Sequence, residues 1–493
     1  MAASLLPGRP GNLTPDQEAA LREFWVAVLK VFGVPALYID KESDGAPPPA
    51  VTEDHDETVE TVTKGSNSTT AITSDKKKKR PSFFGRKNKK DDSTNSPSAT
   101  DTPSQSTPST PSMSAIPEAD DKYGQTRDFK LALASQTPED LRQAFWSMVK
   151  HDHPDGLLLR FLRARKWDVE KALVMLVSTM HWRAQEMHVD DDIMINGEGA
   201  AMEASKSSDP STKREGEDFL NQLRMGKSYL HGVDKDGRPM CFVNVRMHKQ
   251  GEQTEKSLER VTVFTIETAR LMLRPPVDTA TIVFDMTGFS MANMDYTPVK
   301  FMIKCFEANY PESLGAVLVY KSPWIFQGWL DPVVASKVHF AKSTEELEHF
   351  IPRDHIPKQL GGGEDWQYHY SEPQPDENRK MADKSTRDSL NTTRMDIVNR
   401  FEQATLYWIN IPRSEKASSD ETVKQRDKLA DELKDNYWQI DPFVRAKSVY
   451  DRQGVMVEGG RLVPYPHAST VNGNHSEKSA PVAEAETHED DLD

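Results

Sequence analysis

The sequence predicts an α/β fold in which an N-terminal helical lobe precedes a mostly parallel sheet with flanking helices. Three observations lead there. Apolar residues recur at helical spacing after Thr137 and again after Asp168. From Met240 onward, short apolar and β-branched runs alternate with helical patterns, and strand, helix and strand in alternation imply parallel pairing. Long polar stretches flank these segments, so only part of the 493-residue chain is packed core.

Thr14-Pro15-Asp16-Gln17 has the form of a capping box with proline at the first helical position, and Leu21, Phe24, Val28 and Phe32 follow at helical spacing. A short amphipathic helix is therefore expected within residues 1–40. From about Asp44 to Lys122 the composition is Ser, Thr, Pro, Asp and Lys, and burying so little apolar surface could not offset the ordering entropy. Residues 41–127 are read as a disordered linker. Within it, Lys76 to Lys90 carries nine basic residues and no acidic one, around Phe83 and Phe84. A membrane-surface patch, a solvated charge run and a nuclear-import signal are equally compatible with it.

Order is expected to return at Thr137-Pro138-Glu139-Asp140, a second cap followed by proline, with Leu141, Phe145, Trp146 and Val149 behind it. Leu157 to Lys166 continues the lobe, and Asp168 caps a helix carrying Leu173, Leu176, Val177, Met180 and Trp182. The lobe is assigned to 128–218, with 188–216 loop-like. Asp234-Lys235-Asp236-Gly237 reads as a turn before a strand over 240–245. A helix over 259–273, a buried strand over 281–285, a helix over 298–308 and a buried strand over 315–320 follow. Gly361-Gly362-Gly363 closes this domain, assigned to 219–372. Met395 to Trp408 and Glu421 to Trp438 read as helices of an extension over 373–465, and 466–493 as a disordered acidic tail.

Only 36% of residues are hydrophobic, and the mean hydropathy is −0.68. The Met1 end lacks a basic stretch before an apolar run, and no stretch reaches the ~18 apolar residues of a spanning helix. Neither secretion nor membrane spanning is expected. Cys241 and Cys305 are too few for a disulfide framework and read as buried thiols in a reducing cytosol. A net charge of −15 argues against nucleic acid as a partner.

Catalytic motifs fail on their spacing. Gly226-Lys227-Ser228 invites a phosphate-loop reading, but the first glycine that motif needs would stand at Asn221. The turn at Asp234 resembles a calcium loop, yet its closing glutamate position is Val243. Gly288-Phe289-Ser290-Met291-Ala292 follows a strand as a nucleophile elbow would, with Ala in place of the last Gly, which makes a serine hydrolase the enzyme-class alternative. No clustered His/Cys spacing supports a metal, and His151 and His153 read as surface loop residues.

Leu158 to Asp168, Asp234 to Pro239, Asp285-Met286-Thr287-Gly288, Asn309-Tyr310-Pro311-Glu312 and Asp331 to Lys337, in that order, resemble the CRAL-TRIO family. The likeness spans roughly 137 to 370, and the motifs look in particular like those of the fungal phosphatidylinositol transfer proteins of that family. It implies a sheet and flanking helices enclosing an apolar cavity that holds one phospholipid, without metal or redox cofactor and without catalysis. Burial of acyl chains at ~0.8 kcal/mol per CH₂ can hold such a ligand. The family's headgroup-binding residues fall on Arg165, Glu312 and Lys337, with Lys166 a further candidate from the same turn as Arg165. Arginine and lysine suit a phosphate, and glutamate suits sugar hydroxyls. Taken singly, each would read as an ordinary surface charge.

Three positions depart from the family. Val334 stands where a headgroup threonine is usual. The Ser/Thr pair that holds phosphocholine in the best-known member falls on Ala280 and Ile282, neither of which can donate a hydrogen bond. Where the family has an apolar gate helix, only Gln327 and Gly328 stand between Pro323-Trp324-Ile325-Phe326 and Trp329-Leu330-Asp331-Pro332, which reads either as a shortened gate or as codons lost from the gene sequence. The expectation is a monomeric carrier of phosphatidylinositol in the cytoplasm, peripheral on intracellular membranes and supporting phosphoinositide and phospholipid homeostasis. The alternatives are an adaptor presenting the lipid to a kinase, and a cavity filled by a sterol or other bulky apolar ligand.

Overall fold

The computed structural model describes residues 5–34, 121–323, 336–412 and 414–466. The Lys76 to Lys90 patch, the junction around Gln327, Val334 and the acidic tail from His467 lie outside the described residues.

Helix α1 (Pro15–Val31) starts as its sequence predicts. Thr14 Oγ1 accepts from the Gln17 N–H at 3.3 Å, and Gln17 Oε1 accepts from the Thr14 N–H at 3.0 Å. Its apolar stripe of Leu21, Phe24, Trp25, Val28 and Leu29 is buried. Helix α2 (Gln125–Ser135) precedes the Thr137 start and carries no sequence signal, since Gly124 stands at its N-cap without a side-chain bond and only Phe129 and Ala132 of its apolar residues are buried. Helices α3 (Pro138–Val149), α4 (Pro154–Ala164) and α5 (Val169–His181) begin at caps on Thr137, His153 and Asp168.

Residues 188–216 are helical where a loop was expected. A wide helical turn over Val189–Met194 leads into α6 (Ile195–Ala204) and α7 (Pro210–Arg224). Gly197 and Gly199 argue against a helix locally, but Val189, Ile193 and Met194 bury in the main core, and Asp209 caps α7 by accepting from the Thr212 N–H at 2.8 Å. Tertiary burial outweighs propensity there.

Strands β1 (Ser228–Val233), β2 (Pro239–Asn244), β3 (Ala280–Asp285), β4 (Leu314–Tyr320) and β5 (Val338–Ala341) form one sheet in that order. β1 is antiparallel to β2, and the other neighbours are parallel. β1 escapes the sequence reading because His231 and Gly232 interrupt its apolar run. The turn after it is as expected: Asp234 Oδ1 accepts from the N–H groups of Asp236 and Arg238 at 3.0 and 2.9 Å, and Gly237 takes φ +78°. Helix α8 (Glu255–Leu271) links β2 to β3. Helix α9 (Tyr296–Lys304) lies between β3 and β4 and ends in a wide turn over Cys305–Asn309, where an α-helix to Ala308 was expected.

Alternation along the strands sorts the two faces of the sheet. Met240, Phe242, Val283, Leu318 and Tyr320 pack under Leu347, Ile351, Ile356 and Leu360. Cys241, Val243, Ile282, Phe284, Val319 and Phe340 face the opposite side and line a cavity with residues of α8 and α9.

Helices α10 (Lys384–Asn410) and α11 (Lys416–Val444) pack along each other and return to the N-terminal helices. Arg426, 1% exposed, donates to both oxygens of Asp155 at 2.8 and 2.6 Å, and Trp25 Nε1 donates to the same carboxylate at 2.7 Å. Further on, the Tyr450 hydroxyl accepts from the Leu230 N–H at 2.8 Å and that of Tyr465 from the Val233 N–H at 3.0 Å. These hydroxyls cover the otherwise open edge of β1.

Candidate functional site

The cavity between the sheet and helices α8 and α9 measures about 400 Å³. Its walls are the alternate residues of four strands, so the period-two pattern that builds the core face also builds the pocket. Ala280 and Ile282 both line it, as do the buried thiol Cys241 and the aromatic rings of Phe284 and Phe306. Three arginines reach its wall, and all are committed. Arg160 spends its two terminal nitrogens on the carbonyls of Glu312 and Asp278, and Arg183 pairs with Glu267 at 2.5 Å and Asp190 at 3.2 Å. Arg270 pairs with Asp152 at 2.6 Å. Burial alone would raise the Glu267 carboxyl, yet Arg183 and Lys150, the latter at 2.9 Å, hold it well below the usual carboxylate range.

A second cavity, of about 390 Å³, adjoins the first and shares Phe306, Pro311 and Leu314 with it. Arg165, Lys166, Glu312 and Lys337 all line it. Four residues spread over 172 positions of sequence thus meet in one cleft, at the N-terminal ends of β4 and β5 and the C-terminal end of α4. Arg165 is the C-cap of α4 and donates to Gln125 Oε1 at 2.6 Å. Lys166 follows in the left-handed conformation at φ +52°, a position where glycine is usual, and is exposed. Glu312 is also left-handed, at φ +53°, and its carbonyl is held by Arg160 at 2.9 Å. Non-glycine residues in this region cost of order 1–3 kcal/mol, and such strain concentrates at ligand clamps. Lys337 Nζ lies 3.7 Å from Glu312 Oε2.

Sequence reasoning missed the far wall of this cleft. Glu307, on the wide turn after α9, pairs with Lys122 at 2.9 Å and accepts from the Tyr123 hydroxyl, which burial and this bond push up to about 12. Glu307 Oε1 and Thr126 Oγ1, both lining the cleft, are buried with no hydrogen-bond partner among the described residues. Asn309 Nδ2 is in the same condition where it faces the apolar cavity. Buried polar atoms rarely stay unpaired, so each marks a place for a ligand group or water. No local pattern marks these residues; the wide turn sends neighbours to opposite cavities.

Two relatives and two domain profiles place this geometry. The CRAL/TRIO domain profile matches residues 223–362, and the CRAL/TRIO N-terminal domain profile matches 125–178. The "CRAL-TRIO domain-containing protein C3H8.02" of Schizosaccharomyces pombe is 47% identical over 326 residues, 65% of this chain and 69% of that protein. The "Phosphatidylinositol transfer protein CSR1" of Eremothecium gossypii is 35% identical over 478 residues, 92% of this chain and all of that protein. The chain belongs to the CRAL-TRIO family.

Against the CRAL-TRIO background, the rejected readings resolve physically. Residues 226–228 lead into β1 rather than into a helix, so no phosphate loop forms. Ser290 Oγ donates to Asn293 Oδ1 at 2.8 Å, within a short 3₁₀ turn rather than an elbow between strand and helix. His151 is not a surface loop residue: it is 7% exposed, its ring 5.0 Å from that of Trp438, and burial pushes it down to about 4. His153 is half-buried and caps α4, accepting from the Asp155 N–H at 3.1 Å.

Proposed function

We propose that this protein binds one phosphatidylinositol molecule and carries it between membranes without chemical conversion. The acyl chains occupy the apolar cavity, and the inositol phosphate occupies the adjoining cleft, with Arg165 and Lys337 toward the phosphate and Glu312 toward the ring hydroxyls. The observation that carries this reading is the junction of the two cavities. An almost wholly apolar space opens beside one lined by five cationic side chains, Arg165, Lys166 and Lys337 among them, and three carboxylates, which matches the two halves of an anionic phospholipid. Likeness along the whole length of a relative called a phosphatidylinositol transfer protein supports the same ligand. No helix among the described residues is long and apolar enough to cross a membrane, as suits a carrier that leaves one surface for another. The test is transfer of labelled phosphatidylinositol from donor to acceptor vesicles. Rates at the protein-free background would refute the carrier reading, and stable binding without transfer would favour an adaptor.

A further inference from the structure

We propose that the opposite end of the apolar cavity holds a second subsite, in which Lys227 takes the carboxylate of a long-chain fatty acid whose alkyl chain lies along the cavity. Lys227 immediately precedes β1. Because β1 runs against its neighbours, this position meets the end of β2, where the Asn244 N–H donates to the Lys227 carbonyl at 2.9 Å. The cleft of Arg165 and Lys337 lies at the other edge of the parallel strands.

Lys227 is 8% exposed, and its side chain lines the cavity. Its ammonium contacts two neutral acceptors, His248 Nδ1 at 3.1 Å and Gln253 Oε1 at 2.5 Å, and no carboxylate oxygen lies within 4.0 Å of it among the described residues. A buried cation normally has such a partner. His248 faces Asp295 with its other nitrogen at 3.1 Å, so the ring accepts from Lys227 at Nδ1 and donates to Asp295 from Nε2. Two of the three ammonium donors are used; one is left for the cavity. The polar neighbours are spent elsewhere: Asn244 Nδ2 donates to the Gly226 carbonyl at 2.7 Å, and Asn293 to that of His248 at 2.8 Å.

These features select the ligand. A neutral alcohol or ester would bring the ammonium no direct counter-charge, leaving it only the more distant carboxylates of Glu252, Asp218 and Asp295. A phosphate dianion would bring two charges to a site offering one, with Asp295 just behind the imidazole. A monoanionic carboxylate matches both the charge and the single donor, and Leu258, Val261 and Met294 of the adjoining wall offer its chain only apolar surface. Among the cationic side chains of this cavity, Arg183 and Arg270 already hold carboxylates and Arg160 holds two carbonyls, which singles out Lys227. The inference needs only the cavity and does not rest on phosphatidylinositol being the carried lipid.

The test uses the full chain stripped of lipid, with displacement of a fluorescent fatty-acid probe by oleic acid, methyl oleate and oleyl phosphate. Oleic acid should bind roughly ten- to a hundredfold more tightly than its ester, the range for one charge-assisted hydrogen bond. Lys227→Met should abolish that ratio while leaving methyl oleate unchanged, and Lys227→Arg should keep it. Equal binding of acid and ester, or preference for oleyl phosphate, would overturn the assignment. A measurement on the unmodified protein stands beside the variants: the carboxyl carbon of ¹³C-labelled oleic acid should stay ionised in the complex at a pH where the free acid is protonated. A bound carboxyl that titrates like the free one would be equally fatal.

Discussion

Truncating Lys337 or Glu312 to alanine separates ligand binding from stability. The two side chains are 31% and 35% exposed and 3.7 Å apart. A pair so open to solvent contributes ~0–1 kcal/mol to folding. Either variant should therefore melt within about 4 °C of the parent. In the complex, by contrast, each loses a charge-assisted contact worth about 1.5–3 kcal/mol, or about ten- to a hundredfold in affinity. Because the two groups also touch each other, the double variant should lose less than the product of the single losses. Initial rates of phosphatidylinositol transfer between vesicles, measured beside thermal melting, give both quantities. Undiminished transfer by both single variants would refute the headgroup assignment, and a large fall in melting temperature would show that the residues act on the fold instead.

Selectivity against phosphatidylcholine should come from Ala280 and Ile282, which offer a phosphocholine group only apolar cavity wall. The A280S/I282T double variant should gain phosphatidylcholine transfer, while efficient transfer by the unmodified protein would contradict the argument. Arg426→Met should destabilise the fold by about 3–5 kcal/mol, measured by urea unfolding, because it strands the buried Asp155 carboxylate. Although burial raises the Asp155 carboxyl, Arg426 holds it below the usual range, so the stability it contributes is present above pH ~4 and lost as pH falls further. His151, lowered by burial to about 4, binds a proton more readily once unfolded, so stability should decline from pH ~6.5 downward, by about 2 kcal/mol at pH 5. His151→Phe should remove that decline, as melting curves at pH 7 and pH 5 would reveal.

The elements legible in the sequence are those whose signals are local. The caps at Thr14, Thr137 and Asp168 and the turn at Asp234 are stated by adjacent residues, and the structure has each of them. β1 and the 189–224 helices were not legible, because His231, Gly232, Gly197 and Gly199 defeat a local rule that burial overrides. The same division holds at the cleft. Arg165, Lys166, Glu312 and Lys337 were found through motif resemblance, and the structure gathers them. Thr126, Glu307 and Asn309 carry no such pattern, since their placement depends on a helix and a wide turn that leave no local mark. Lys227 was noticed for a motif it does not form, and its position in the cavity follows from a strand the sequence had hidden.

The closure of the N-terminal lobe by the C-terminal helices has a consequence in time. Arg22 of α1 is 2% exposed and donates to the carbonyls of Trp408 and Ile411 and to Ser419 Oγ, so its partners lie almost 400 residues downstream. At a synthesis rate of about 5–20 residues per second, they follow it by roughly 20–80 s. Until then Trp25 lacks Phe401, 5.8 Å from it in the finished fold, and Asp155 lacks Arg426. Helix α1 is thus made early relative to α10 and α11 yet sealed late, and a nascent chain must keep its aromatic stripe from other partners throughout that interval. A ribosome stalled before residue 400 would hold a lobe whose own sequence is complete but whose core is still open.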